Sequence, residues 1–298
     1  MIEIRSVSKA FETKQVLNNL TLSIERGTVL GLVGPNGSGK STLLRLISGI
    51  LHADSGFLTL DDQPIYDNVN SKSKIFFVAD EPYFFNGATL KDMKEFYRIF
   101  YPNFSEETYR KVLSIFSVSE NSKISNMSKG MKRQVTLILA LASNTEYLLL
   151  DEAFDGLDPM MRLNLKRIIA DEIDNRKLTV VISSHNLREL EDICDTIGFL
   201  SDGNVVTTGS VDDLKHSLHK VQFAVSKDIQ DVLTKLNIIH SSSTGSITTL
   251  VMRNNVDELK ALLEPYNPTI FEEIPLKLEE IFVYEMEAKG YGTYEDWT

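Results

Sequence analysis

At 298 residues, with 42% hydrophobic and 24% charged side chains, the chain is long enough for one large core plus a smaller second one, and too ordinary in composition for a disordered or fibrous protein. Its formal net charge of -11, with no lysine- or arginine-rich run, would repel phosphate backbones and predicts no nucleic-acid partner. No stretch approaches the roughly 20 apolar residues that cross a bilayer, MIEIRSVSKAF lacks the pattern of a secretory signal, and a single cysteine, Cys194, permits no intramolecular disulfide and suits a reducing cytoplasm.

In chain order, the first forty residues alternate short extended runs (IEIRSV, LTLSI) with polar breaks such as Glu25-Arg26-Gly27, which predicts an antiparallel strand layer. Val29 to Val33 reads as a buried strand. The loop GPNGSGKS, Gly34 to Ser41, follows, and Ser41 to Ile50 carries leucine and isoleucine at helical spacing. Strand, glycine loop and helix in that order form a triphosphate cradle: backbone N–H groups wrap phosphate oxygens, Lys40 neutralises charge and Ser41 ligands Mg2+. The candidate nucleotide-binding residues here are Gly34, Pro35, Asn36, Gly37, Ser38, Gly39, Lys40, Ser41 and Thr42.

From about Pro82 to Ala142 three segments (LKDMKEFYRIFY, SEETYRKVLSIF, MKRQVTLILALA) repeat apolar residues at helical spacing and predict an inserted helical subdomain. Strands are expected again at Tyr147 to Leu150 and Val180 to Ser183, with a helix from about Met160 to Ile173 between them, the alternation of a parallel sheet. IGFLSDGNVVTTG predicts a strand pair turning at Asp202-Gly203. After Leu218 the order strand-helix-strand-strand-helix-strand-helix predicts a second, small α+β domain like a split β-α-β unit. The expected domains are therefore 1–212, with the helical insert at about 82–142, and 218–298. Tyr291, Tyr294 and Trp297 in the tail are a candidate interaction surface.

Three later segments narrow the chemistry: MSKGM at Met127 to Met131, YLLLDE ending at Glu152, and ISSH ending at His185. With GPNGSGKS and with GLD at Gly156 to Asp158, they resemble the nucleotide-binding subunit of an ATP-binding-cassette (ABC) transporter, over about residues 1 to 210. The resemblance implies an α/β fold with a P-loop parallel sheet, an N-terminal antiparallel β layer and an inserted helical subdomain. It also implies an ATPase using ATP and Mg2+. Asp151, ending a buried strand, would reach the Mg2+ hydration shell beside Ser41; Glu152 would orient and deprotonate the attacking water; His185 would hydrogen-bond the γ-phosphate. Phe11 lies where the family stacks an aromatic on adenine, and Gly156, Leu157 and Asp158 match the D-loop.

Two segments depart from the family pattern. The signature LSGGQ reads Met127-Ser128-Lys129-Gly130-Met131, keeping Ser128 and Gly130; a serine hydroxyl and a helix N-terminus still suit a γ-phosphate, and Lys129 adds a charge. In IFFVADEPYFF, alignment on the proline puts Asp80 where the family has a magnesium-contacting glutamine, with Glu81 the alternate. A carboxylate can ligand magnesium but cannot donate a hydrogen bond as an amide does.

In the family the signature of one subunit completes the ATP site of another. The resemblance thus implies a head-to-tail pair with a second ATPase subunit, identical or not, at the cytoplasmic face of the membrane beside a separate permease. Variants such as MSKGM and EAFDGLDP look most like exporter-type subunits that move peptides, antimicrobials or lipids. The alternative is a soluble cassette ATPase acting on ribosomes or DNA. A small-molecule P-loop kinase would leave MSKGM, GLDP and ISSH without a purpose.

Overall fold

The computed structural model describes residues 1–226, 229–253, 255–288 and 290; the tail aromatics Tyr291, Tyr294 and Trp297 lie outside the described residues. The chain divides into two compact units, Met1–Thr208 and Gly209–Thr298.

In the first unit β1 (Ile2–Phe11) and β2 (Lys14–Ile24) form a hairpin, with Phe11 paired to Lys14 beside its turn. β3 (Val29–Val33) is buried at every position, and the glycine loop leads into α1 (Lys40–Ile47), which starts one residue before and ends three residues short of the range the leucine spacing suggests. β4 (Ser55–Leu60) pairs antiparallel with β1, and β5 (Gln63–Pro64) follows, so the N-terminal layer has the order β2-β1-β4-β5. β4 escapes a sequence reading because its first three residues are exposed and carry no alternating pattern. The amphipathic β1 and β2 and the helix α1 close one core, in which Ile2, Ile4, Leu17, Leu22, Leu43, Leu44 and Ile47 pack with Leu30 and Leu32 of β3.

After α2 (Val69–Ser73), β6 (Ile75–Val78) joins the main sheet. The predicted helical insert is α3 (Leu90–Phe100), α4 (Glu106–Phe116) and α5 (Lys129–Ala142). Each starts on a side-chain cap, Thr89, Ser105 and Ser128 respectively, which satisfies backbone N–H groups the helix leaves unpaired. The sheet continues with β7 (Tyr147–Asp151), α6 (Pro159–Arg176), β8 (Thr179–Ser184), α7 (Leu187–Glu191), β9 (Thr196–Ser201) and β10 (Asn204–Ser210). Its order is β10-β9-β3-β8-β7-β6, with parallel pairing from β9 through β6. Full burial of β3, β7 and β8 explains why each carries a run of adjacent apolar residues with no alternation. The carboxyl ends of these three adjacent strands deliver Gly34, Asp151-Glu152 and Ser184-His185, which is where an open parallel sheet places its ligands.

The second unit holds α8 (Val211–Lys215), β11 (His219–Ala224), α9 (Gln230–Leu233), β12 (Ile238–Thr244), β13 (Ile247–Met252), α10 (Val256–Leu263), β14 (Ile270–Ile274) and α11 (Leu278–Ala288). The sheet order β12-β13-β11-β14 is antiparallel throughout and sets the first and third strands in the middle, the split β-α-β arrangement. Both faces are covered. Leu250 and Met252 pack with Val221, Phe223, Leu259 and Leu263, while Val251, one residue out of phase, packs with Leu218, Ile281 and Tyr284 on the α11 side.

Among the described residues no helix is long and apolar enough to cross a membrane.

Candidate functional site

The glycine loop owes its shape to close approach. A Cβ at Gly34 would lie 2.1 Å from the Leu200 carbonyl oxygen and 2.8 Å from Ser38 Oγ, so only glycine lets the chain leave β3 toward α1 there. Ser38 is buried, and its hydroxyl has no partner among the described residues. An orphaned buried hydroxyl inside a loop of backbone N–H groups fits a phosphate oxygen. Lys40 is 5% exposed; its Nζ donates to the carbonyls of Gly34 and Pro35 at 2.7 and 3.2 Å and stands 3.9 Å from Glu152 Oε1. Burial pulls its ammonium below the ordinary lysine value, opposed by the charges of Glu152 and Asp151.

Around this cradle the sheet assembles residues far apart in sequence. Ser41 Oγ donates to Asp151 Oδ1 at 2.9 Å, and Ser183 Oγ donates to the same oxygen at 2.7 Å. Two hydroxyls and a carboxylate are hard oxygen donors of the kind Mg2+ takes, so Ser41 and Asp151 fit a magnesium ion. Ser183 belongs to the same set, a residue of the ISSH run brought to Asp151 because β8 lies beside β7.

Glu152, the next residue, sits at φ 48°, a left-handed conformation that costs about 1–3 kcal/mol for a residue with a side chain and concentrates at functional sites. Its backbone N–H is held by Ser183. Its Oε2 lies 3.0 Å from His185 Nδ1. Burial pushes the Glu152 carboxyl above its ordinary value, against the pull of the His185 hydrogen bond and the Lys40 charge. Asp155 completes a group of three ligand atoms with Glu152 and His185 that lie within 4.8 Å of one another.

The sequence profile of the ABC transporter family matches residues 17–155. The ABC transporter ATP-binding protein YtrB of Bacillus subtilis (strain 168) is 33% identical over 289 residues, covering 97% of this chain and 99% of that one. The chain belongs to the ABC transporter ATP-binding family. The linearmycin resistance ATP-binding protein LnrL of the same organism is 30% identical over 220 residues, covering 72% of this chain and 70% of its own. Among solved structures, an ATP-binding subunit of an ABC transporter superposes with a TM-score of 0.67 at 25% identity, covering 72% of this chain and 92% of that one. As a member of this family the chain binds and hydrolyses ATP as the ATP-driven subunit of a transporter.

The remaining family positions occupy three other places. Phe11 is 44% exposed at the β1–β2 turn, with Lys9 Nζ 5.5 Å from its ring centroid; the following turn of β2 reaches the loop, since a Cβ at Gly39 would meet Leu17 Cδ2 at 2.6 Å. Ser128 caps α5 by accepting the Met131 N–H at 3.2 Å, and Ser128, Lys129 and Met131 are exposed. Helix α5 begins two residues earlier than the sequence reading has it, at Lys129. A Cβ on Gly130 would lie 2.6 Å from the Gly156 carbonyl oxygen, so the retained glycine makes room for the D-loop of its own chain. In that loop Leu157 is buried and Asp158 caps α6 through the Met161 N–H at 2.9 Å. Among the described residues no hydrogen bond or ion pair joins 128–131 to 34–42.

The structure gives Asp80 a partner that sequence reading missed. Arg133 of α5, 1% exposed, donates to the carbonyls of Ala79 and Asp80 and to Asp80 Oδ1, each at 2.8 Å. A signal existed: Arg133 falls on the same helical stripe as the buried Leu137 and Ala140, and a guanidinium on an apolar stripe requires acceptors. Arg133→Met keeps the stem but strands two carbonyls, and we expect a loss of about 2 kcal/mol in unfolding free energy, read from the urea midpoint at unchanged slope.

Proposed function

We propose that ATP is held between the glycine loop of one subunit, with Mg2+ on Ser41 and Asp151, and the Ser128 helix tip of a second subunit, and that hydrolysis there drives a separate membrane permease. The carrying observation is the convergence of Lys40, Ser41, Asp151, Glu152 and His185 at the carboxyl ends of β3, β7 and β8. The exposed Ser128 tip supports completion by a second chain, because a helix N-terminus favours an anion and, among the described residues, no hydrogen bond or ion pair ties 128–131 to the chain's own glycine loop.

In this reading a magnesium ion held by Ser41 and Asp151 would offset phosphate charge. Glu152, raised in pKa and 3.0 Å from His185, takes a proton from water as the water oxygen attacks the γ-phosphorus and the bond to the ADP oxygen breaks. With Glu152 ionised, Nδ1 carries the proton of their hydrogen bond, so Nε2 donates to the γ-phosphate only when the ring is protonated. Lys40 neutralises the β- and γ-phosphates, Ser38 supplies its unused hydroxyl, and Phe11 stacks on adenine. Loss of γ-phosphate contacts on cleavage biases the pair from closed to open.

An exposed apolar surface after β6 supports a permease partner: Tyr83, 79% exposed, with Phe85 and Phe100 around Phe96, and Ile99 exposed on the same helix. Export of peptides, antimicrobials or lipids is the direction proposed, with the linearmycin resistance relative in support. Ser128→Glu tests the shared site. It is expected to lower turnover at least about tenfold, by placing a carboxylate against the neighbour's γ-phosphate, while ATP still binds each separate chain. Full turnover by the variant would overturn the shared site; stimulation by ribosomes or DNA in place of a co-purified membrane protein would overturn the transporter assignment; ATP-driven uptake of cargo would reverse the direction alone.

A further inference from the structure

We infer that Glu189 and Arg162 form a strut that locks the His185 loop to the D-loop, making both of them positioning residues for hydrolysis; this rests on the roles proposed above for Glu152 and His185. Glu189, on α7, is buried and uses both carboxylate oxygens. Its Oε1 receives Nη1 of Arg162, and its Oε2 receives the hydroxyl of Ser184 at 3.1 Å. Ser184 is buried too, and its Oγ accepts the Asn186 N–H at 3.0 Å. One hydroxyl therefore clamps the residues on both sides of His185. On the other arm, Arg162 Nε donates to the Leu157 carbonyl of the D-loop at 3.0 Å.

The contacts close into a ring. His185 Nδ1 meets Glu152 Oε2 at 3.0 Å, and five positions of backbone carry Glu152 to Leu157. Passing through Ser184, Glu189 and Arg162 returns to Leu157, so the backbone that carries His185 cannot move relative to the D-loop without straining one of these links. The guanidinium is essential to the ring, because without it the buried carboxylate would stand uncompensated, and alignment of the reacting groups within a fraction of an ångström is what a strut of this kind protects.

The test is steady-state ATP turnover by the full chain for Glu189→Gln, Arg162→Met and Ser184→Ala, each alone and combined with His185→Ala. We expect each single variant to lower kcat about tenfold or more with KM for ATP within about twofold. Combined with His185→Ala, the losses are expected not to add, since the strut acts through that ring. Full turnover in the Glu189 and Ser184 variants, or losses that add to that of His185→Ala, would overturn the strut alone. Full turnover in His185→Ala would overturn the role of His185 and the strut with it. If Glu189→Gln does not fold, Ser184→Ala, which removes a single oxygen atom, decides the matter.

Discussion

Glu152→Gln is expected to lower ATP turnover by at least about a hundredfold, the usual contribution of a positioned base, while ATP binding persists. The amide preserves the shape of the carboxyl but cannot take the water's proton, so ATP-loaded subunits accumulate as a closed pair, visible as a shifted peak in size-exclusion chromatography with ATP. A variant that stays monomeric with ATP, or keeps turning over, would contradict the mechanism. The same change carries a stability signature. Burial raises the Glu152 carboxyl above its ordinary value, so the folded chain holds that proton to higher pH than the unfolded chain does. Stability is therefore lost as pH rises through the folded value, and the penalty is complete above it. Glutamine does not titrate. The Tm of the variant relative to the parent should thus climb between acid and neutral pH, in the window above the ordinary glutamate value.

Lys40→Met is expected to weaken ATP binding by about a hundredfold, because a charge-assisted contact to phosphate is worth about 1.5–3 kcal/mol and none of the loop's backbone groups carries a full positive charge. Titration with a fluorescent ATP analogue measures it. Folding should respond in the opposite sense. The ammonium is 5% exposed and destabilised by burial, and a methionine of similar length removes that desolvation cost. The nucleotide-free variant should melt no lower than the parent and should fail to gain Tm when ATP is added, because a ligand stabilises only what it binds. A wild-type response to ATP would show that the loop's N–H groups alone carry the phosphate.

Contiguity explains what a reading of the chain recovers. A phosphate cradle is built by neighbouring residues, so Gly34 to Ser41 is visible as a string, and the close contact of Gly34 with Leu200 only shows why the string cannot vary. Asp151 and Glu152 are visible because a strand buried at every position ends in two acids. Ser128 is visible as a helix cap three residues before the N–H it accepts. Pairing across the fold is a different matter. Asp80 looks like a magnesium ligand on family alignment, and the structure adds a contact the alignment does not show, from its Oδ1 to Arg133, 53 positions away. Nothing local announces that contact, since the two residues meet only through the fold. Glu189 and Arg162 are equally unremarkable in the chain, each an ordinary charged residue on a helix, until the fold buries Glu189 and brings Arg162 to its carboxylate.

The amino-acid order by itself determined the cradle, the acidic strand end, the histidine and the family to which they belong, because the donors and acceptors in each piece lie within a few residues and their spacing survives any fold that presents them. Tertiary structure alone decided that Ser41 meets Asp151 across 110 positions, that Glu152 meets His185 across 33, and that Arg133 spends its charge on Asp80. Those meetings depend on which strands lie side by side. Strand order follows from burying three apolar strands together, a collective choice that no short segment encodes.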